Sequence, residues 1–218
     1  MKTFFCLCFL LFAFASSIHA QDTLPLNATW RDSARFYIRD LKEGVLVVRL
    51  QTRSKAIQQL NKEGNYAAAN NILQAQRKEN LETIQAFRTK FSFCKVYFFF
   101  SDSTDAWMNG RRSGYFLNDS LVIDPSIQLK ENFSLLAEKG SPEHQNAYDK
   151  TQPDLEQKEP GYLNETIVVR DKNLHMLKDP FPYYAQEPFP ENVFARNWKS
   201  KVESLNRKLN NFYKINWK

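Results

Sequence analysis

The feature that most limits the fold is a pair of apolar β-segments joined by a helical span. Gly44-Val45-Leu46-Val47-Val48-Arg49-Leu50 is a near-continuous β-branched and leucine run, the pattern of a strand buried on both faces. Lys95-Val96-Tyr97-Phe98-Phe99-Phe100 is the most strand-forming segment of the chain. Between them, Ser54 is placed to cap a helix with Ile57 and Leu60 on one face, and Gly64 is placed to end it. A second helix is expected from about Tyr66 to Phe87, with Leu73, Leu81, Ile84 and Phe87 on its inner side. Strand, helices, strand is a βαβ unit, which demands parallel strands and a right-handed crossover.

The remaining segments add to that unit. Residues 21–35 are polar and read as a loosely held arm. The stretch 101–114 is polar and turn-rich, and Tyr115-Phe116-Leu117 and Leu121-Val122-Ile123 flank Asn118-Asp119-Ser120 as a small hairpin. Phe133–Ala137 has the composition of another strand. Residues 138–162 hold few apolar side chains and read as a mobile loop. Thr166–Arg170 is a strand, Asp171-Lys172-Asn173 a turn, and Leu174–Leu177 the returning strand. The prolines of Asp179-Pro180-Phe181-Pro182 and of Glu187-Pro188-Phe189-Pro190 keep those stretches out of a helix interior or central strand. A last helix is expected from about Glu191 to Tyr213. Phe194, Trp198, Val202, Leu205, Leu209 and Phe212 form its apolar stripe, and its lysines and arginines fall mostly off it. The fold class is therefore α/β or α+β: a mixed sheet built on a βαβ unit with a long helical crossover, and a C-terminal helix packed on the sheet.

The N-terminus carries an address. Lys2 precedes an uncharged apolar run from Thr3 to Ala15, followed by Ser16-Ser17-Ile18-His19-Ala20, the pattern of a secretory signal peptide cut after about Ala20. The run is too short to span a bilayer, which takes roughly 20 apolar residues. Residues 21–218 then form a single domain that is secreted or periplasmic. Cys6 and Cys8 leave with the leader and only Cys94 remains, so no internal disulfide can form. Cys94 stands among phenylalanines and reads as a small buried hydrophobe. The formal charge of +6 is scattered along the chain, which permits weak attraction to anionic surfaces and decides nothing more. Asn27, Asn118, Asn132 and Asn164 begin Asn-x-Ser/Thr sequons, glycan acceptors only in a host that glycosylates.

Chemistry is expected beyond the carboxyl ends of the parallel strands, where open α/β sheets bind ligands. Those ends are Thr52-Arg53-Ser54-Lys55 and Ser101-Asp102-Ser103-Thr104-Asp105. Arg53, Ser54 and Lys55 open a helix whose free N–H groups attract anions. Asp102, Ser103 and Asp105 offer hydroxyl and carboxylate groups. The six together suit a small anionic or polyhydroxyl ligand; equally, Ser54 is a plain cap and the second group a solvated turn. Asp102, Asp105, Asp119 and Asp124 admit a paired-carboxylate hydrolase, although turns are rich in Asp for local reasons. His144 and His175 have no second His or Cys at metal-ligand spacing, so no metal is assigned. There is no Gly-x-Ser-x-Gly elbow and no Gly-rich phosphate loop, and no cofactor is assigned. Nucleic-acid binding has no aromatic-and-basic motif behind it.

In element order, Gly44–Phe100 with Thr166–Tyr213 resembles a thioredoxin-like layout. It departs at the chemistry: Ser101-Asp102-Ser103-Thr104 stands where Cys-x-x-Cys would follow the second strand, and no proline immediately precedes Thr166. The resemblance therefore implies a layout and no thiol redox activity. Gly64-Asn65-Tyr66-Ala67-Ala68-Ala69 resembles the turn of a tetratricopeptide pair, but such arrays need about three copies and one occurs. The leading expectation is an exported, non-catalytic domain that binds a small ligand or a protein partner. The alternatives are an extracytoplasmic hydrolase using loop carboxylates, and an envelope-associated interaction protein using the basic C-terminal helix.

Overall fold

The computed structural model describes residues 28–142, 166–185 and 198–217. The leader, Asn27, His144, Asn164, the second Pro-Phe-Pro segment and the expected helix start at Glu191 lie outside the described residues, as does the expected loop from residue 143 onward.

The stretch expected as an arm becomes a helix at residue 30. Helix α1 (Trp30–Glu43) opens on a capping box: the Asp32 backbone N–H donates to Thr29 Oγ1 at 3.2 Å, and the Thr29 backbone N–H donates to Asp32 Oδ2 at 3.1 Å. Ala34, Ile38 and Leu41, spaced four and three, are buried. The reading of 21–35 as an arm rested on the polar residues up to Arg35 and so covered only Ala34 of this stripe. Strand β1 (Val45–Leu50) follows after one residue. Gly44 sits where two backbones meet: a Cβ there would lie 2.5 Å from Phe133 O and 2.7 Å from Asp40 O, so only glycine fits.

The crossover comprises α2 (Ser54–Lys62) and α3 (Tyr66–Lys90), and returns to β2 (Lys95–Phe100). The βαβ unit is as expected: β1 and β2 are parallel from Val45↔Lys95 to Leu50↔Phe100. After β2 come a tight turn at Ser101–Ser103 and α4 (Thr104–Met108), a short helix where only turns were expected. Then follow β3 (Phe116–Leu117), β4 (Ser134–Gly140), β5 (Thr166–Arg170), β6 (Tyr184–Ala185) and α5 (Trp198–Asn216). Glu138, Lys139 and Gly140, assigned above to the loop, finish β4.

Among the described residues six strands lie in the order β3-β2-β1-β4-β5-β6. β4 is a third parallel strand, on the other side of β1 from β2, while β3, β5 and β6 run antiparallel to their neighbours. Proline confines the 179–185 segment to the sheet edge, as expected. Leu46, Val48 and Leu50 face one core, shared with α1, with Ile84 and Phe87 of α3, and with Trp198, Val202, Leu205 and Leu209 of α5. Each such fully buried aliphatic contributes about 1.5–3 kcal/mol. Val45, Val47, Phe99 and Leu136 face a second core closed by Trp107 of α4, Tyr115, Phe116 and Leu129. Among the described residues no helix is long and apolar enough to cross a membrane.

Candidate ligand cleft

The two crossovers leave adjacent strands on opposite faces. The chain after β1 turns to the face of α3, whose Ile84 and Phe87 join the first core. The chain after β2 turns to the other face, where Trp107 of α4 joins the second. Backbones that diverge in this way open a crevice at the strands' carboxyl ends. A cavity of about 470 Å³ lies there, lined by Thr52, Ser54, Asp102 and the middle of α3, with Ile57, Leu73, Phe100 and Leu121 as apolar wall. That is the size of a small-molecule site.

Asp102 holds the crevice together. Thr52 Oγ1 donates to Asp102 Oδ1 and Ser54 Oγ donates to Asp102 Oδ2, each at 2.7 Å, while Thr52 Oγ1 and Ser101 Oγ are 3.2 Å apart. One carboxylate thus clips the end of β1 to the end of β2. This also corrects the capping expectation. The N-cap of α2 is Arg53, at φ 54°, with no side-chain cap bond, and Ser54 is the first helical residue with its hydroxyl turned to Asp102.

The inner wall is a chain of amides. Asn80 Nδ2 donates to the backbone carbonyl of Gln51 at 2.9 Å, and Gln76 Nε2 donates to Asn80 Oδ1 at 3.2 Å. Both side chains are 5% exposed, and Gln76 Oε1 is buried with no hydrogen-bond partner. They belong to the buried stripe of α3, which runs Ala69, Gln76, Asn80, Ile84, Phe87. The stripe is polar where α3 passes the carboxyl ends of the strands and apolar where it passes their amino ends. Arg77 supplies a guanidinium to the same cavity.

Of the six residues singled out in the sequence, Ser54 and Asp102 meet in the cleft. Arg53 is exposed and lines a neighbouring opening of about 520 Å³, together with Gln76 and Trp198. Lys55 is exposed and lines neither. Ser103 is half-buried at the start of α4, and Asp105 is exposed in its first turn. Gln76, Asn80 and Arg77 were not anticipated. Only their place on the helical stripe distinguishes the first two, and Leu73, expected on the inner face, is 48% exposed.

The carboxylates that suggested a hydrolase have separate surroundings. Asp119 pairs with Arg88 at 2.9 Å on the surface. Asp124 accepts from the Ser126 hydroxyl and N–H, which hold its carboxyl below the usual range. His175 is exposed, and its Nδ1 lies 3.4 Å from Asp171 in the turn after β5. Burial pushes the Cys94 thiol up to about 12, against a weaker opposing hydrogen bond from the Leu46 backbone. Among the described residues no group of three or more His, Cys, Asp or Glu side chains gathers as a metal site would need. Trp198 is 4% exposed and packs inward, so it forms no part of an exposed docking face on α5.

No family model matches this chain, and no curated protein or solved structure matches it.

Proposed function

We propose that this chain is an exported binding domain whose ligand is a small, neutral, polyhydroxyl molecule held in the cleft between β1, β2 and α3. The observation that carries the reading is the lining. The hydroxyls of Thr52 and Ser54 and the amides of Gln58, Gln76 and Asn80 alternate there with an apolar surface of Ile57, Leu73, Phe100 and Leu121. Sugars and polyols present the complement, with alternating donors and acceptors on an aliphatic ring or chain. The charge balance favours a neutral ligand over an anion, since Arg77 is opposed by Asp102, whose carboxylate is already bonded to two protein hydroxyls. Binding rather than turnover is supported by the same bonds, which leave Asp102 bridging two loops instead of facing a second carboxylate.

A thermal-shift screen of the folded chain against sorbitol, D-glucose, N-acetylglucosamine and inorganic phosphate tests this. Ligand at 100 times Kd stabilises by about 2.7 kcal/mol, roughly 5–10 °C in midpoint for a domain of this size. A rise with a sugar or polyol, weakened by Arg77→Ala and absent with phosphate, supports the reading. A response to phosphate alone contradicts it. Export is tested by the intact mass of protein recovered outside the cytosol: a chain beginning at Gln21 is expected, and one still carrying the leader contradicts it.

A further inference from the structure

We propose that the gap between α3 and α5 is a one-oxygen binding site, in which Trp198 Nε1 donates to a single hydroxyl oxygen that in turn donates to Gln76 Oε1. Both atoms are buried and neither has a partner among the described residues. Their side chains line the same void of about 20 Å³. A void needs about 10–15 Å³ to hold one water-sized group, so this one admits a single oxygen.

The orientation of Gln76 follows from its neighbours. The Gln51 carbonyl can only accept, so Asn80 must offer it Nδ2 and turn Oδ1 to Gln76. Gln76 must then offer Nε2, and Oε1 is left as an acceptor without a donor. The indole of Trp198 can only donate. An unpartnered acceptor and an unpartnered donor on two residues that line one void are satisfied together by an atom that plays both parts, and a hydroxyl oxygen is the smallest that does. The same two residues also line the wider opening beside Arg53. The shared chemistry is that of water and of an alcohol. The void stands independently of the cleft reading; an alcohol as occupant would extend that reading to a second contact point.

The test uses the full chain labelled with ¹⁵N. The Trp198 indole proton is assigned by the signal missing from Trp198→Phe, and its through-space transfer to water is measured without and with sorbitol. The expected result is a cross-peak from Trp198 Hε1 to water that is lost in Gln76→Met. Replacement of that peak by one to sorbitol carbon-bound protons identifies an alcohol as the occupant; its persistence in sorbitol identifies water. No cross-peak to either in the unmodified protein overturns the proposal without reference to any variant. So does a water peak of unchanged intensity in Gln76→Met.

Discussion

Two polar clusters stand at the carboxyl ends of the parallel strands, one on each face of the sheet, and they differ in how completely their groups are partnered. On the face of α4, Glu138 of β4 is held by two arginines. Arg49 of β1 pairs with its Oε2, and Arg170 Nε of β5 donates to its Oε1 at 2.6 Å. Arg49 Nη1 donates on to Thr104 Oγ1 at 3.3 Å, and Arg170 Nη1 to the Leu174 carbonyl at 3.0 Å. Every strand of the parallel core except β2 is tied into this clamp. On the face of α3, the chain of Gln51, Asn80 and Gln76 ends in an acceptor with no partner. A closed polar network specifies a fold, whereas an open one, inside a protein that could have used leucine there, points to something that completes it.

The largest expected effect falls on the closed cluster. Glu138→Ala leaves two guanidinium groups half-buried beside each other and should cost about 3–5 kcal/mol in urea unfolding; a loss below about 1 kcal/mol would break the contrast. Next comes a half-buried group with no ionic partner. Burial raises the Cys94 thiol from 9.0 to about 12, so the folded chain holds that proton more tightly than the unfolded one. Stability is therefore intact below pH 9 and falls as pH rises toward 12, by up to about 1.4 kcal/mol per pH unit. Comparing urea midpoints at pH 8 and pH 10, the extra fall should be missing from Cys94→Ala; equal falls in both proteins contradict it. Asp102→Ala, which removes the exposed clip between β1 and β2, should cost about 1 kcal/mol and weaken polyol binding as well. Smallest is Gln76→Met. It removes one orphan acceptor, Gln76 Oε1, but strands another, Asn80 Oδ1, which loses its Nε2 donor, so the two effects offset and stability should change by less than about 1 kcal/mol while polyol affinity drops. A large loss of stability would show that Gln76 belongs with the closed cluster.

The sequence made the βαβ unit and the C-terminal stripe legible because Val45–Leu50 and Val96–Phe100 are short runs rich in β-branched and aromatic residues, and Trp198–Leu209 repeats its apolar residues at helical spacing. Direction was less accessible. Residues 133–137 read as a strand, but nothing local says that β4 lies parallel against β1 and completes a three-stranded parallel core. The start of α1 was legible in principle through the Thr29–Asp32 capping box and the Ala34, Ile38, Leu41 spacing, but the polar stretch up to Arg35 covers only Ala34 of that stripe. In the cleft, strand ends located Ser54 and Asp102, since an open α/β sheet has its crevice there. Gln76 and Asn80 escaped because polar residues on a helix are assumed to face water. Only packing against the end of β1 reveals that these two face inward. The left-handed turn at Arg53 escaped for a similar reason: a long basic residue carries no preference for that conformation, and the Asp102 clip on Ser54 accompanies it.

Backbone amide shift mapping of the ¹⁵N-labelled chain during a titration with the polyol or sugar that raises its midpoint most tests the central claim directly. Saturable shifts confined to residues 51–57, 73–80 and 100–102, with Arg49, Glu138 and Arg170 unmoved, are the predicted result. A titration that never saturates, or one whose shifts centre on the Arg49–Glu138–Arg170 clamp, would contradict it.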